Sequence, residues 1–259
     1  MDYQTIRLNI SDGLAILTLN RPEKMNALNT QMRAEITFAM REAAETARAI
    51  VITGEGAAFC TGQDLGDAGN SGGVPDMERT LRDEYTPMLE AIFDCKVPTI
   101  AAVNGPAAGA GASLALATDV VIASQSAYFL QAFTRIGLMP DAGGTWFLPR
   151  QMGLAKAMGA ALFADKISAQ QASDWGMVWE AVADDAFDAH WRARAQVLAQ
   201  GPTAAYGAVK QALRASSGNS LPDQLTLEAH LQGKCGLSRD FREGVVAFME
   251  KRPAKFEGR

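Results

Sequence analysis

Histidine and cysteine are both scarce in this chain, and their scarcity narrows the chemistry that it can support. Only 2 histidines and 3 cysteines occur among 259 residues. Because Cys60, Cys95 and Cys235 are widely separated and form no CxxC pair, neither a disulfide framework nor a zinc site is indicated. The sequence also lacks an HExxH motif and any cluster of histidines with acidic residues, so we predict no catalytic metal.

Excess positive charge and long uninterrupted apolar runs are absent as well. The 24 basic and 29 acidic residues give a net charge of −5, so we expect neither a nucleic-acid partner nor attraction to an anionic membrane. The most apolar stretch, residues 97–123, is interrupted by Asn104, Pro106 and Asp119, and the first ten residues do not resemble a signal peptide. These features predict a soluble cytoplasmic protein, in keeping with its unpaired cysteines.

Strand-like and helix-like segments alternate along the first 150 residues, which predicts βαβ units and an α/β fold. The Asp12-Gly13 dipeptide is typical of a tight hairpin between the first two strands. The expected strands cover residues 5–10, 14–19, 49–53, 97–103, 119–123 and 177–182. The expected helices cover 29–47, which begins with an Asn29/Thr30 cap, 77–94 and a segment opening near Gly109. The last third should be mostly helical, with Ser238 capping the final helix.

Two loops rich in small residues follow predicted strands. Their sequences are AAFCTGQDL at 57–65 and NGPAAGAGASLALA at 104–117. Glycine and alanine let a ligand approach the backbone closely, and a helix start leaves N–H groups without intrahelical partners. The two loops could therefore bind a developing oxyanion, although close packing of helix against sheet would need the same residues.

Two other site types fit the second loop less well. Leu114 replaces the third glycine of a GxGxxG dinucleotide motif, so we discard that interpretation. The segment around Ser113 comes within one residue of the GxSxG motif of serine hydrolases, and His190 and His230 follow in a usable order. Both histidines lie in helix-like surroundings, however, and no HGGG-type loop precedes the serine.

A carboxylate stands in the segment TRIGLMPDAGGTW, residues 134–146. From local sequence alone Pro-Asp-Ala-Gly predicts a turn in which Asp141 is structural. The alternative is that Asp141 is an acid/base group. We expect Phe133, Leu138 and Trp146 to surround it with apolar surface, which would disfavour its charged form and make it a better base.

Six motifs in order carry a resemblance that runs nearly end to end: residues 19–28, 58–65, 97–124, 136–150, 167–178 and 240–256. The chain resembles the crotonase (enoyl-CoA hydratase/isomerase) superfamily. The resemblance implies a crotonase-like spiral of ββα units over residues 1–200 and a C-terminal helical trimerisation region over residues 201–259. It further implies a homotrimer or a dimer of trimers that binds acyl-CoA thioesters. Coenzyme A is part of that substrate, so no separate cofactor is expected.

The same resemblance assigns roles to individual positions. The backbone N–H groups of Gln63 and Ala110 fall on the two oxyanion-hole donors, and Asp141 falls on the acid/base of isomerases. Contacts with the acyl-CoA substrate are implied for Lys24, Ala27, Gly62, Asp64, Leu65, Gly109 and Phe133.

The chain departs from the hydratases of this superfamily at both of their glutamates. These positions are occupied by Ser113 and Phe133, neither of which can act as a carboxylate. The resemblance therefore favours an acyl-CoA isomerase that uses Asp141, and residues 131–150 and 240–252 are most similar to 1,2-epoxyphenylacetyl-CoA isomerases of bacterial phenylacetate breakdown. A 3-enoyl-CoA double-bond isomerase fits as well. The alternatives are a hydratase-like lyase on another CoA ester and a non-catalytic binder of CoA esters.

Overall fold

The first described element is the hairpin that the sequence predicts. A computed structural model describes residues 2–66 and 76–259 of the chain. Strands β1 (Ile6–Ser11) and β2 (Leu14–Leu19) pair antiparallel, with Ser11 opposite Leu14. Asp12 and Gly13 turn the chain with φ values of 51° and 76°, a left-handed conformation that Asp-Gly tolerates well. Most of the Gly-rich segment at 66–76, which we expected to be a loop near the site, lies outside the described residues.

Strands and helices then alternate as predicted, and the last described third is mainly helical. The further strands are β3 (Ala49–Gly54), β4 (Thr99–Val103), β5 (Ala107–Ala108), β6 (Val120–Ser124), β7 (Tyr128–Leu130), β8 (Ile167–Ser168) and β9 (Glu180–Val182). The helices are α1 (Thr30–Thr46), α2 (Met77–Thr80), α3 (Thr86–Phe93), α4 (Ala110–Leu116), α5 (Gly144–Met152), α6 (Leu154–Phe163), α7 (Ala169–Asp174), α8 (Asp184–Gln200), α9 (Thr203–Ala215), α10 (Leu221–Gly236) and α11 (Arg239–Glu250). A π-helical turn at Leu81–Tyr85 joins α2 to α3, and 3-10 turns cover Pro22–Lys24 and Ala132–Ile136.

The strands form two sheets. The larger has six strands in the order β1-β2-β3-β4-β6-β9, parallel from β2 onward, and the smaller has the order β5-β7-β8. The prediction of a single strand after residue 150 was wrong, because β8 pairs antiparallel with β7. A two-residue strand is too short for a periodic hydrophobic pattern, so sequence periodicity cannot detect it.

The six-stranded sheet is covered on both faces. Val51 and Ile100 face Phe187 and Trp191 of α8, and α1 packs on the opposite face. Helix α1 begins at the cap predicted for it, where the side chain of Asn29 accepts a hydrogen bond from a backbone N–H. This arrangement leaves the ends of β3 and β4, and the loops that follow them, on one edge of the sheet.

The C-terminal helices are anchored to that core through Asp119. Its carboxylate lies 2.7 Å from Lys210 Nζ and 2.7 Å from Arg214 Nη2, both on α9, and it also accepts the Thr99 backbone N–H at 2.8 Å. The last helix begins at Ser238, which accepts a hydrogen bond from Phe241 N as predicted. Within residues 2–66 and 76–259, none of the helices has the length and apolar character that crossing a membrane requires.

Candidate functional site

The two small-residue loops predicted from sequence lie directly against each other. Cys60 pairs with Ala107, and its backbone N–H donates to the Pro106 carbonyl while its carbonyl accepts from Ala108 N. A Cβ added to Gly111 would stand only 2.2 Å from the Cys60 carbonyl oxygen. Glycine at 111 is therefore required for the close approach of the loops, whatever ligand they bind.

This contact brings together the two proposed oxyanion donors. Gly62 adopts a φ of +91°, and a Cβ there would lie 3.3 Å from Ala110 N. Ala110 is the first residue of α4, so its N–H has no intrahelical acceptor. Neither Gln63 N–H nor Ala110 N–H donates a hydrogen bond to another residue that the structure describes. Both N–H groups are therefore available to donate to a ligand.

Asp141 lies on the turn before α5, joined to the helix that carries Ala110. Its backbone carbonyl accepts hydrogen bonds from Gly144 N at 2.8 Å and from the buried Ser113 hydroxyl of α4 at 3.3 Å. Burial raises the pKa of the Asp141 carboxyl from 3.8 to about 6, and a hydrogen bond from its own N–H offsets part of that effect. The pKa of Asp141 is therefore close to that of a general base that works well near neutral pH.

Aromatic side chains line this part of the fold. The Phe133 ring would lie 3.6 Å from a Cβ at Gly109 and is 8% exposed. Trp146 packs edge-on against Phe93 and Phe147, with ring centroids 5.3 Å and 5.1 Å apart. Of the apolar neighbours predicted for Asp141, Phe133 is buried while Leu138 and Trp146 are 39% and 40% exposed.

A buried polar network holds the side chain of Gln63, and this network could not be predicted from the sequence. Gln63 Oε1 accepts from the Tyr85 hydroxyl at 2.5 Å and from Arg33 Nη1 at 3.1 Å. Arg33 is 2% exposed, lies over the Tyr85 ring at 4.8 Å and forms an ion pair with Glu84. Burial raises the Tyr85 pKa, and the negative charge of Asp141 raises it further. The guanidinium of Arg33 opposes both effects on the Tyr85 pKa.

The substrate contacts that the resemblance implies in and near the first small-residue loop lie along one edge beside Gln63. Leu28 N donates to the Gly62 carbonyl at 2.7 Å and Asp64 N to the Leu28 carbonyl at 3.0 Å, which joins residues 20–28 to residues 60–65. Asp64 forms an ion pair with Arg21, and this hydrogen bond holds the Asp64 pKa below its usual range. Arg21 also donates to the Ala27 carbonyl. Asp64 and Ala27 thus build the edge.

Two side chains on the same edge are open to a ligand. Lys24 is exposed and Leu65 is 66% exposed. Because Lys24 carries a positive charge that also lowers the Asp64 pKa, this end of the site is electrostatically suited to an anionic ligand group.

The structure does not assemble a serine hydrolase site. The Ser113 hydroxyl donates to the Asp141 carbonyl rather than to a histidine. His190, on α8, contacts Glu180 with its Nε2 2.7 Å from the carboxylate, and His230 is exposed on α10. Across residues 2–66 and 76–259, no three His, Cys, Asp or Glu side chains are grouped as a metal site would require.

Comparison with known proteins agrees with this geometry. The sequence model of the family described as enoyl-CoA hydratase/isomerase matches residues 9–259. The chain is 63% identical to a Rhodobacter capsulatus protein named "Probable enoyl-CoA hydratase" over 259 residues, which is 100% of both chains. It is 44% identical over 255 residues to the 1,2-epoxyphenylacetyl-CoA isomerase of Escherichia coli, with 97% of each covered.

Solved structures agree as well. The crystal structure of an enoyl-CoA hydratase from Bacillus anthracis superposes with a TM-score of 0.93 at 29% identity, covering 99% of this chain and 100% of that one. The predicted α/β crotonase fold with a C-terminal helical region is confirmed. The chain therefore belongs to the enoyl-CoA hydratase/isomerase family, which implies an enzyme that acts on acyl-CoA thioesters.

Proposed function

We propose that this enzyme is an acyl-CoA isomerase in which Asp141 moves the proton. The observation that carries the proposal is a single carboxylate, partly buried, whose pKa is raised to about 6 and whose turn is bonded to the helix that begins at Ala110. A base with that pKa is deprotonated at neutral pH and retains enough basicity to accept a proton. The 1,2-epoxyphenylacetyl-CoA and 3-enoyl-CoA esters are the substrates that we infer.

The proposed reaction begins with the thioester carbonyl oxygen between Gln63 N–H and Ala110 N–H. Asp141 takes a proton from the carbon next to that carbonyl, and the electron pair moves onto the carbonyl oxygen to form an enolate. Each backbone donor typically lowers the barrier by about 3 to 4 kcal/mol. With a 3-enoyl ester, the electrons then return through the carbon chain and the γ-carbon takes the proton back from Asp141. No atom is gained or lost, so one carboxylate suffices.

Hydration makes a different demand on the site. Water has to be held and deprotonated while a second proton is delivered to the substrate carbon. The two positions that the resemblance equates with hydratase glutamates hold Ser113, whose hydroxyl is bonded to a carbonyl, and the buried ring of Phe133. Asp141 would have to perform both proton transfers alone.

We further propose that coenzyme A lies along the edge formed by residues 20–28 and 60–65. The exposed Lys24 would meet a phosphate, and the exposed Leu65 would contact the pantetheine chain. The acyl group would then extend past Gly109 toward Phe133 and Trp146. A wall of aromatic rings favours an aromatic or unsaturated acyl group, because ring faces and edges pack well against each other.

The region 201–259 is proposed to contact other copies of the chain in a trimer or dimer of trimers. Helices α9 to α11 border an apolar groove of about 910 Å³, lined in part by Val209, Leu225 and Phe241. On the last helix, Phe248 and Met249 are 82% and 78% exposed, an unusual exposure for two large apolar side chains. Light scattering should give three or six times the chain mass of 27.6 kDa, and a monomer would refute this assignment.

Turnover of three esters tests the proposed activity. Wild type and Asp141→Asn should be assayed with 3-hexenoyl-CoA, 1,2-epoxyphenylacetyl-CoA and crotonyl-CoA. We expect isomerisation of at least one of the first two, reduced in kcat at least about a hundredfold by the substitution, with little hydration of crotonyl-CoA. The matched control is Asp188→Asn, which removes an exposed carboxylate of α8 that forms an ion pair with Arg192.

A second candidate function is hydration, and the 63% identical relative named "Probable enoyl-CoA hydratase" favours it. It predicts that crotonyl-CoA is the best of the three substrates. If hydration dominates in wild type, or if Asp141→Asn leaves isomerisation intact, the proposal of an Asp141-dependent isomerase is wrong.

A further inference from the structure

A buried amide lies beside the Asp141 turn without a hydrogen-bond partner. Gln131 follows β7, is 1% exposed, and neither its Oε1 nor its Nε2 is hydrogen-bonded to a residue that the structure describes. A buried polar group without a partner has lost its hydrogen bonds to water and gained none in return, which destabilises the fold. Native folds rarely carry that cost without a function for the group, so the amide of Gln131 needs an explanation.

The Gln131 amide and the Ser113 hydroxyl lie on the same side of Gly144. A Cβ at Gly144 would stand 3.3 Å from Ser113 Oγ and 3.6 Å from Gln131 Oε1, so both atoms border the space that the missing side chain leaves. Pro140 Cβ, at 3.5 Å, is the third atom around that space, and the Ser113 hydroxyl donates to the Asp141 backbone carbonyl. The Ser113 bond to that carbonyl is long for a hydroxyl donor at 3.3 Å, and the hydroxyl retains acceptor capacity.

We propose that Gln131 and Ser113 form a subsite for one hydrogen-bonding oxygen atom next to Asp141. Gln131 supplies amide donors and an acceptor, and Ser113 supplies a hydroxyl that can donate or accept. The oxygen can belong to an oxygenated acyl group. It can also belong to a water molecule that stays bound whether or not substrate is present. This subsite rests on the proposed function only in placing the acyl group beside Asp141, and it would give the enzyme a preference for acyl groups that carry oxygen.

Binding of two unreactive esters tests the subsite without requiring turnover. Phenylacetyl-CoA and 2-hydroxyphenylacetyl-CoA differ by one oxygen atom on the ring. Wild type should be compared with two variants. Gln131→Met keeps the length of the side chain and removes the amide, and Ser113→Ala removes the hydroxyl. The matched control is Gln151→Met. Gln151 Oε1 is also buried without a partner among the described residues, but its Nε2 donates to the Leu116 carbonyl of α4 at 3.4 Å.

Three results are distinguishable. If the subsite holds an acyl oxygen, Gln131→Met should weaken the binding of 2-hydroxyphenylacetyl-CoA at least about tenfold and the binding of phenylacetyl-CoA less than about twofold. If the subsite holds a water molecule, Gln131→Met should weaken the binding of both esters equally. The ligand-free variant should then have a lower melting temperature than wild type. If Gln131→Met melts higher and binds both esters as wild type does, the amide is simply unpaired and the subsite does not exist.

Failure of the proposed function would look different. If wild type isomerises neither 3-hexenoyl-CoA nor 1,2-epoxyphenylacetyl-CoA, the isomerase assignment fails, while the two binding constants still decide the subsite. If Gln131→Met does not fold, Ser113→Ala gives the same comparison of the two esters.

Discussion

Removing the charge of Asp141 should stabilise the protein while abolishing the proposed activity. Burial raises the pKa of this carboxyl from 3.8 to about 6, so the folded state binds its proton more tightly than the unfolded state does. The stability that protonation contributes is complete below the unfolded pKa and is lost as pH rises through the folded value. At 1.36 kcal/mol per pKa unit, the difference amounts to about 3 kcal/mol above pH 7. Because the side chain is only partly buried, we expect about 2 kcal/mol.

Asp141→Asn removes this penalty, since the neutral amide has nearly the same shape. Urea unfolding of wild type and variant at pH 8 and pH 4 measures the effect, at one protein concentration so that subunit dissociation contributes equally. The variant should be more stable by about 2 kcal/mol at pH 8, and the gain should shrink toward zero at pH 4. Equal stability at pH 8, or a gain that does not depend on pH, would show that Asp141 is not held in a desolvating environment.

Three further predictions concern the pH dependence of activity, the network around Gln63, and two glycines. The kcat/KM for isomerisation should fall about tenfold per pH unit below pH 6, because protonated Asp141 cannot accept a proton, and a flat profile from pH 5 to 8 would contradict this. Tyr85→Phe removes the hydroxyl that bonds Gln63 Oε1 at 2.5 Å, so it should cost about 1 kcal/mol of stability and lower kcat more than it changes KM. Gly111→Ala should lower the melting temperature and the activity, since its Cβ meets the Cys60 carbonyl at 2.2 Å, while Gly233→Ala, in open space on α10, should stabilise by up to about 1 kcal/mol.

The elements of this fold that are set by neighbouring residues were predictable from the sequence. The Asp12-Gly13 hairpin, the Asn29 cap of α1 and the Ser238 cap of α11 each depend on a few consecutive side chains, and all three are present. The two small-residue loops were also identified, because glycine and alanine after a buried strand indicate close backbone approach wherever they occur. Their mutual contact agrees with the expectation that they form one site.

The supporting contacts of the site were not predictable in the same way. Arg33 lies on α1 and Glu84 in the π-helical turn, 51 residues apart, and nothing in either local pattern indicates that the arginine is buried. Gln131 is likewise unremarkable in sequence, and its lack of a partner among the described residues depends on how distant segments pack around it. The one available signal was Glu84 followed directly by Tyr85 within a predicted helix, a pair that is too common to be informative.

The two named relatives show that the fold alone cannot decide between hydratase and isomerase. A protein named "Probable enoyl-CoA hydratase" is 63% identical and a 1,2-epoxyphenylacetyl-CoA isomerase is 44% identical, both over nearly the whole chain. Oxyanion donors are backbone atoms, so substitution does not remove them, whereas the acid/base groups are side chains and change with one codon. The reaction therefore depends on the few side chains that border the enolate. In the site that we propose for this chain they would be a carboxylate at Asp141, a hydroxyl at Ser113 and a ring at Phe133, a set that we expect to support the return of one proton better than the addition of water.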